Sequence, residues 1–187
     1  MLQYKSKSEL PAGLKTKGIF RNLQGFTTVE LMIVVALIGI LAAVAIPNLR
    51  QASQNARLRA AARDLMGNFQ LARVTAIRSN TPCTITFEDD DGDNNYERYT
   101  VFLDPDRNYT FDEYAGDTRI KQITWSDYNI NGLVFNHNFV NNHIAFLPDG
   151  RTENTIAGAF GGGTVTLQNP FMTLQVTVSP TGTVRIS

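Results

Sequence analysis

The chain has 187 residues and a formal net charge of zero, but its charges are unevenly distributed. Residues 48–79 hold six arginines against Asp64 alone, whereas residues 80–187 hold six basic and fourteen acidic side chains. Because phosphate binding needs a basic surface, this acidic C-terminal part argues against general nucleic-acid binding. The single cysteine, Cys83, excludes an intramolecular disulfide, and we expect its side chain to be buried early in a strand.

A long apolar segment occupies residues 26–46. Its 21 residues would form a helix of roughly 31 Å, which is enough to cross the hydrocarbon core of a bilayer. A cleaved secretory signal peptide and a plain signal anchor are two alternatives, since residues 42–45 look like a small-residue cleavage site. Neither explains Glu30, whose charge at the start of the run is costly near hydrocarbon and therefore indicates a function. Basic residues flank both ends, so charge alone leaves the orientation open.

A helical pattern continues beyond Pro47. The apolar positions recur at three- and four-residue spacing and are Leu58, Ala61, Ala62, Leu65, Phe69, Ala72 and Ala76. They predict that the helix continues to about Arg78, where the segment SNTP at residues 79–82 ends it. Residues 47–79 would then be the soluble half of one long helix. Pro47 removes one backbone hydrogen bond, so we expect a kink or a local break in the helix there.

Short runs of alternating polarity follow in residues 80–187, which should form a β-rich globular head. Turn signals separate them, namely DG at residues 91–92, PDG at 148–150 and PTG at 180–182. The predicted strands are 84–87, 98–103, 120–123, 133–135, 144–146, 164–167, 174–178 and 183–186, the last two forming a hairpin. The expected fold class is α+β, with a long N-terminal transmembrane helix packed on a C-terminal antiparallel sheet or sandwich.

Two acidic segments of the head are candidate cation sites. Asp89, Asp91 and Asp93 lie in the run EDDDGDNN, and calcium binds clustered carboxylate and carbonyl oxygens. The EF-hand pattern fails, because the sixth position counted from Asp89 is Asn94 rather than glycine, and the twelfth is Thr100 rather than glutamate. A solvated hairpin loop is therefore the favoured interpretation, with an irregular calcium site as the alternative. The second segment has the same two interpretations and contains Asp104, Asp106, Asp112 and Glu113.

The residue inventory predicts no enzyme and no catalytic residue. His137 and His143 lie in an asparagine-rich stretch without metal-ligand spacing. No serine or cysteine lies in a nucleophile motif, and the glycines at residues 161–163 lack the lysine of a phosphate-binding loop. Apart from the calcium alternative, no cofactor is predicted, and a structural or assembly role of the protein is favoured.

The segment GFTTVELMIVVALIGILAAVAIP at residues 25–47 resembles the start of type IV pilins and type II secretion pseudopilins. In that class a prepilin peptidase cuts on the cytoplasmic side after the glycine, here Gly25, and the new N-terminal residue, here Phe26, is N-methylated. The glutamate at the fifth mature position matches Glu30, and the proline matches Pro47. The resemblance implies a leader at residues 1–25, a single-pass inner-membrane protein with a cytoplasmic leader and a periplasmic head, and other pilins and an inner-membrane assembly platform as partners.

Cleavage after Gly25 would create an ammonium group at Phe26. An isolated ammonium and an isolated carboxylate are both costly in hydrocarbon, so a pair between this amine and Glu30 relieves both costs. The pair can form within one chain, because residues four apart share a helix face. It can also form between neighbouring subunits, where it would fix the axial step of a filament. We expect the first before assembly and the second after it.

Three further segments resemble the GspH/FimT group of minor pseudopilins and minor pilins: FLPDGR at residues 146–151, the closing VTVSPTGTVRIS, and LRAAARDLMGNFQLARVTAIRSNTP at residues 58–82. The resemblance implies a non-enzymatic subunit of the periplasmic pseudopilus of a type II secretion system. The alternative is a minor pilin of a type IV pilus, including one involved in DNA uptake. Some pilus members of this group carry an arginine-rich C-terminal turn linked to DNA uptake, whereas this turn holds Arg185 alone, which disfavours DNA binding. A membrane-anchored receptor that never polymerises is the third hypothesis.

Overall fold

The computed structural model describes residues 25–154 and 160–187. The predicted leader therefore lies outside the described residues, except for Gly25. Helix α1, Thr28–Ser79, has 52 residues and ends one residue beyond the predicted end, where Asn80 adopts a left-handed backbone conformation. Pro47 lies inside this helix, which is assigned without interruption, so the predicted break is absent. The predicted kink stays a prediction.

The described part of the chain divides into two compact units, with the boundary between residues 42 and 43. In the first unit, the large apolar side chains of α1 are exposed, as Leu31, Met32, Ile38 and Leu41 illustrate. By length and composition, α1 is able to cross a membrane: its most apolar 18-residue window has a mean hydropathy of 2.9 and none of it is buried. An apolar helix surface of this kind needs lipid or other protein around it.

In the second unit, one stripe of α1 is buried against the strands. All seven predicted positions, from Leu58 to Ala76, are fully buried. Asn68 joins them as a polar member that the apolar periodicity did not predict. These side chains belong to one hydrophobic cluster that also contains Ile85, Val165 and others from the head.

Within the described residues, nine strands form two antiparallel sheets. One sheet has the order β3-β2-β1-β5-β6 and the other the order β4-β7-β8-β9. The strands are β1 Cys83–Glu88, β2 Arg98–Leu103, β3 Thr118–Thr124, β4 Val134–His137, β5 His143–Phe146, β6 Thr152–Glu153, β7 Gly163–Asn169, β8 Met172–Val178 and β9 Val184–Ile186. The α+β prediction is confirmed, and each of the eight predicted strands is present. The predicted C-terminal hairpin is β8–β9, whereas β6 was not predicted.

The two sheets and α1 share an aromatic core. Phe87 of β1 stacks on Phe139, with ring centroids 5.6 Å apart and an interplanar angle of 4°. Phe69 of α1 contacts Phe139 edge-on at 6.3 Å and Phe146 of β5 at 6.2 Å. Aromatic pairs of this geometry add to the free energy gained by burial. Phe87 also lies 5.5 Å from Phe135 of β4, so the core fixes the helix and both sheets of the second unit in one packed body.

Candidate assembly site and acidic clusters

The predicted cleavage junction lies immediately before the helix. Gly25 and Phe26 are outside any regular secondary structure, and the side chain of Phe26 is 83% exposed. A Cβ placed on Gly25 would meet no atom within 4 Å. A peptidase needs an accessible, non-helical segment, because helical backbone does not fit an extended binding cleft. The geometry at Gly25 and Phe26 meets that requirement.

Thr27 caps the N-terminus of α1. Its Oγ1 accepts a hydrogen bond from the backbone N–H of Glu30 at 3.2 Å, and its carbonyl oxygen accepts the backbone N–H of Leu31 at 3.1 Å. A threonine followed three residues later by glutamate is the capping-box pattern. This role of Thr27 was not predicted, although the T-x-x-E spacing in the sequence indicates it. The cap places Glu30 in the first turn, where the helix dipole favours a negative charge.

The carboxylate of Glu30 is exposed and has no hydrogen-bond or ion-pair partner within residues 25–154 and 160–187. In the full chain Phe26 is joined to Gly25 by a peptide bond, so the amine proposed as its partner does not yet exist. Glu30 is thus positioned in the first helical turn with its charge available.

The first acidic segment is a turn held by its own carboxylates. Asp89 accepts the backbone N–H of Gly92 at 2.7 Å and that of Asn94 at 2.9 Å. Asp91 and Asp93 each accept the N–H two residues further on, at 3.2 and 2.7 Å. These carboxylates and that of Glu97 lie within 4.8 Å of one another, but none of the four residues is buried. The geometry fits the solvated loop, and the calcium alternative at Asp89, Asp91 and Asp93 stays a prediction.

The second acidic segment forms a different cluster from the one the sequence indicated. Asp104 and Asp106 lie together as expected, but the third member is Asp117 rather than Asp112 or Glu113. Asp104 is fully buried and Asp117 is 5% exposed, whereas Asp106 is exposed. Burial is the main reason why the pKa values of both Asp104 and Asp117 are raised. Linear spacing could not predict Asp117, because strand pairing brings it to Asp104.

The cysteine and the two histidines are packed side chains. Cys83 opens β1 and is fully buried, as predicted, and burial together with the negative charge of Asp104 raises the pKa of its thiol to about 12. The ring of His143 stacks on Tyr109, with centroids 4.3 Å apart. The ring of His137 lies 4.2 Å from that of Tyr96, and burial lowers its pKa to about 4.

Comparison with known proteins identifies the family. The family model of the type II transport protein GspH matches residues 61–182. No curated protein shows a significant sequence match to the chain. The match extends from Ala61 in the buried stripe of α1, through strands β1–β8, to Gly182 in the C-terminal turn, and β9 lies beyond it.

The fold is similar to that of the type IV minor pilin FimU from Pseudomonas aeruginosa. One crystal form of FimU aligns with a TM-score of 0.55 at 12% identity, covering 72% of this chain and 91% of FimU. A second crystal form aligns with a TM-score of 0.50 at 12% identity, covering 69% and 91%. The minor pseudopilin EpsH from the type 2 secretion system of Vibrio cholerae aligns with a TM-score of 0.48 at 16% identity, covering 70% and 96%.

The likeness to FimU shows a shared fold, and the family model covers more than half of the sequence. The long apolar helix and the antiparallel head are the parts that this fold requires. The chain therefore belongs to the type II transport protein GspH family of pilin-like minor pseudopilins and minor pilins.

Proposed function

We propose that the protein is a non-enzymatic minor pseudopilin of the periplasmic pseudopilus of a type II secretion system, which exports proteins. The observation that carries this proposal is the match of residues 61–182 to a family described as a type II transport protein. The family and the apolar helix together support a single-pass inner-membrane protein. We further propose that the leader faces the cytoplasm and the head faces the periplasm.

Maturation begins with cleavage after Gly25 by a prepilin peptidase and continues with N-methylation of Phe26. The exposed, non-helical junction and the absence of any atom within 4 Å of a Cβ at Gly25 support access by such an enzyme. Because helix α1 begins only two residues after Phe26, the mature chain would start almost directly with its membrane helix. The mature subunit would comprise residues 26–187.

Assembly then depends on Glu30. The new ammonium group at Phe26 lies at the N-terminus of α1, where the helix dipole disfavours a positive charge. A carboxylate near the ammonium group offsets this cost, and in hydrocarbon the ammonium group in turn stabilises the carboxylate. The Thr27 cap holds the backbone of Glu30, while its carboxylate has no partner in the described part of the chain. We therefore assign Glu30 as the partner of the Phe26 amine of a neighbouring pilin.

Extraction from the membrane follows from this pairing. Once Glu30 pairs with the Phe26 amine of a neighbouring pilin, the apolar helix can move from lipid into a filament core lined by other pilin helices. This transfer takes place at an inner-membrane assembly platform. Both surroundings are apolar, so the transfer does not expose the helix to water. The ion pair fixes the axial register between neighbouring subunits, which apolar packing alone does not define.

The alternative is a minor pilin of a type IV pilus, including one that takes up DNA. The similar structure FimU is a type IV minor pilin, but at 12% identity this likeness concerns the fold alone. The two functions differ in phenotype. Deletion of the gene would block protein export with normal pili in the first case and block piliation with normal export in the second.

Intact-mass measurement of the protein purified from its own host tests the proposal. We expect the mass of residues 26–187 plus one methyl group. As a matched control, Gly25→Val should retain the full chain, and it should remain folded because a Cβ at Gly25 meets no neighbour. An unprocessed wild-type chain would instead favour the receptor that never polymerises.

A further inference from the structure

Two aspartates, Asp104 and Asp117, lie side by side where the loop between β2 and β3 leaves the sheet. Leu103, the last residue of β2, pairs with Thr118, the first residue of β3. Asp104 follows Leu103 and Asp117 precedes Thr118, so the antiparallel register places these two carboxylates at the mouth of the loop of residues 104–117. This position is set by strand pairing and does not depend on the loop itself.

Asp104 is fixed at this mouth by three hydrogen bonds. Its Oδ2 accepts the hydroxyl of Thr84 at 2.8 Å and the backbone N–H of Tyr109 at 3.1 Å. Its Oδ1 accepts the backbone N–H of Asn108 at 3.2 Å. Donors aimed at both oxygens favour the ionised form of a buried carboxyl group. Asp104 is therefore a preorganised carboxylate.

Asp117 provides the second observation, a buried oxygen without a partner. Its Oδ2 accepts the backbone N–H of Asp112 at 2.8 Å, but its buried Oδ1 has no hydrogen-bond partner among the described residues. The residue is only 5% exposed, so water does not solvate this oxygen freely. A buried carboxylate oxygen without a donor costs free energy, because nothing replaces the hydration that it loses on burial.

The charges around the cluster do not compensate this cost. The charged neighbours that raise the pKa values of Asp104 and Asp117 are carboxylates: Asp117 acts on Asp104, and Asp106 and Asp112 act on Asp117. Within residues 25–154 and 160–187, neither Asp104 nor Asp117 forms a salt bridge. A cation from solution is the simplest group that would satisfy the cluster.

We propose that Asp104, Asp106 and Asp117 bind a calcium ion that closes the mouth of the loop of residues 104–117. One oxygen from each residue lies within 4.8 Å of the other two, and two oxygens on one calcium ion, each at ~2.3–2.6 Å, are at most about 5 Å apart. Backbone carbonyl groups and water complete the coordination, as is usual for this ion.

The loop of residues 88–97 is the natural comparison. Its carboxylates also converge, but Asp89, Asp91 and Asp93 are not buried. No side-chain oxygen of this loop is both buried and unpartnered in the described structure. The proposed site is therefore distinct from the one indicated by the acidic run in the sequence.

Isothermal titration calorimetry of the full chain in detergent micelles, freed of metal with EGTA, tests the proposal with calcium chloride as the probe. We expect a saturable heat with one ion per chain and an increase in the thermal unfolding midpoint. Asp117→Asn and Asp106→Ala should lose this heat, whereas Asp91→Asn should retain it. Asp117→Asn keeps an oxygen for the N–H of Asp112, and Asp106 is exposed, so at least one of the two variants should fold.

Two results would overturn the proposal. One is the absence of heat above the dilution blank for the wild-type chain. The other is that Asp106→Ala binds calcium as tightly as the wild-type chain does, while Asp91→Asn no longer binds it. Both results are independent of cleavage and filament formation, so they leave the proposed function untouched.

Discussion

The side-chain amide of Asn68 donates a hydrogen bond of 2.7 Å to the hydroxyl of Tyr99 inside the core. Asn68 lies on α1 and Tyr99 on β2, and the two residues are 4% and 0% exposed. The other end of the amide is also used, because Lys121 on β3 donates to Asn68 Oδ1 at 3.2 Å. This pair is the buried polar link between the helix and the first sheet.

Asn68→Ala should therefore lower the free energy of unfolding of the head by about 2 kcal/mol, because it leaves the buried Tyr99 hydroxyl without its partner. Gln70→Ala, at an exposed position of the same helix, should stay within about 0.5 kcal/mol of wild type. Denaturant titration of the full chain in micelles measures both. The fluorescence of Trp125, whose ring lies 5.1 Å from that of Tyr99, reports the transition. Equal midpoints for the two variants would contradict this role of Asn68.

The turn that precedes β9 requires glycine at residue 182. Gly182 has φ +76°, and a Cβ there would overlap the carbonyl oxygen of Gly150. That same oxygen accepts a hydrogen bond from Arg73 Nε on α1 at 3.1 Å. A side chain at Gly182 would thus strain its own backbone and also displace the contact between the Gly150 turn and the helix.

Gly92 offers a matched control, since it has φ +78° and a Cβ there would meet nothing within 4 Å. Gly92→Ala should cost only the left-handed backbone conformation, about 1–2 kcal/mol. Gly182→Ala should cost at least about 1 kcal/mol more because of the overlap with Gly150. Thermal unfolding of both variants measures the difference. If Gly92→Ala proves as destabilising as Gly182→Ala, the close approach to Gly150 is not significant.

Local patterns predicted most of the elements of the head. Alternating runs gave the eight longer strands, and apolar spacing gave the seven buried positions of α1. Strand β6, Thr152–Glu153, has two residues and shows no alternation, so pairing with β5 alone defines it. Asn68 was missed because its polarity hides it from an apolar pattern.

Features that depend on long-range pairing could not be predicted. The division into two sheets follows from β1 pairing with β5 and β4 pairing with β7, which adjacent sequence does not encode. Asp117 reaches Asp104 through the register of the β2–β3 pair, which residue spacing along the chain does not define. The motif at Gly25, Phe26 and Glu30 came from the sequence alone, and the structure adds only the Thr27 cap and the exposure of the junction.

The stability of the head should fall as the pH falls below 6.5, in part through His137. Burial lowers the pKa of His137 from 6.5 to about 4 in the folded state. Between these values the unfolded chain binds a proton that the folded chain does not, so acid favours unfolding, by at most about 3 kcal/mol once the pH is below 4.

Comparison of wild type with His137→Phe isolates this contribution, because the ring stacking on Phe87 and Tyr96 is largely kept. His143, whose pKa burial also lowers, titrates in both proteins. The raised pKa values of Asp104 and Asp117 act in the opposite direction, since their folded forms hold protons to higher pH, but they too are common to both proteins. We expect a shallower loss of stability from pH 6.5 to 4 in the variant. Identical slopes would show that His137 does not titrate in this way.

The head should not bind DNA at physiological salt. Its fourteen acidic side chains outnumber its six basic ones, and Arg185, in β9 directly after the C-terminal turn, is the only arginine of that region. Repulsion of the phosphate backbone should therefore exceed any local attraction. A gel-shift assay with double-stranded DNA and the full chain in micelles should show no complex. A discrete complex that Arg185→Ala abolishes would support the DNA-uptake alternative.

The proposed role of Glu30 makes the most direct prediction about assembly. Wild-type protein and Glu30→Ala should both insert into the membrane, since the apolar segment is the same, and both should be cleaved after Gly25. The decisive measurement is the fraction of each processed protein that co-purifies with filaments sheared from cells of the native host. We expect wild-type chains beginning at Phe26 in the filament fraction and Glu30→Ala retained in the membrane fraction. Normal incorporation of Glu30→Ala, or the absence of processed wild-type protein from filaments, would contradict the proposed role of Glu30.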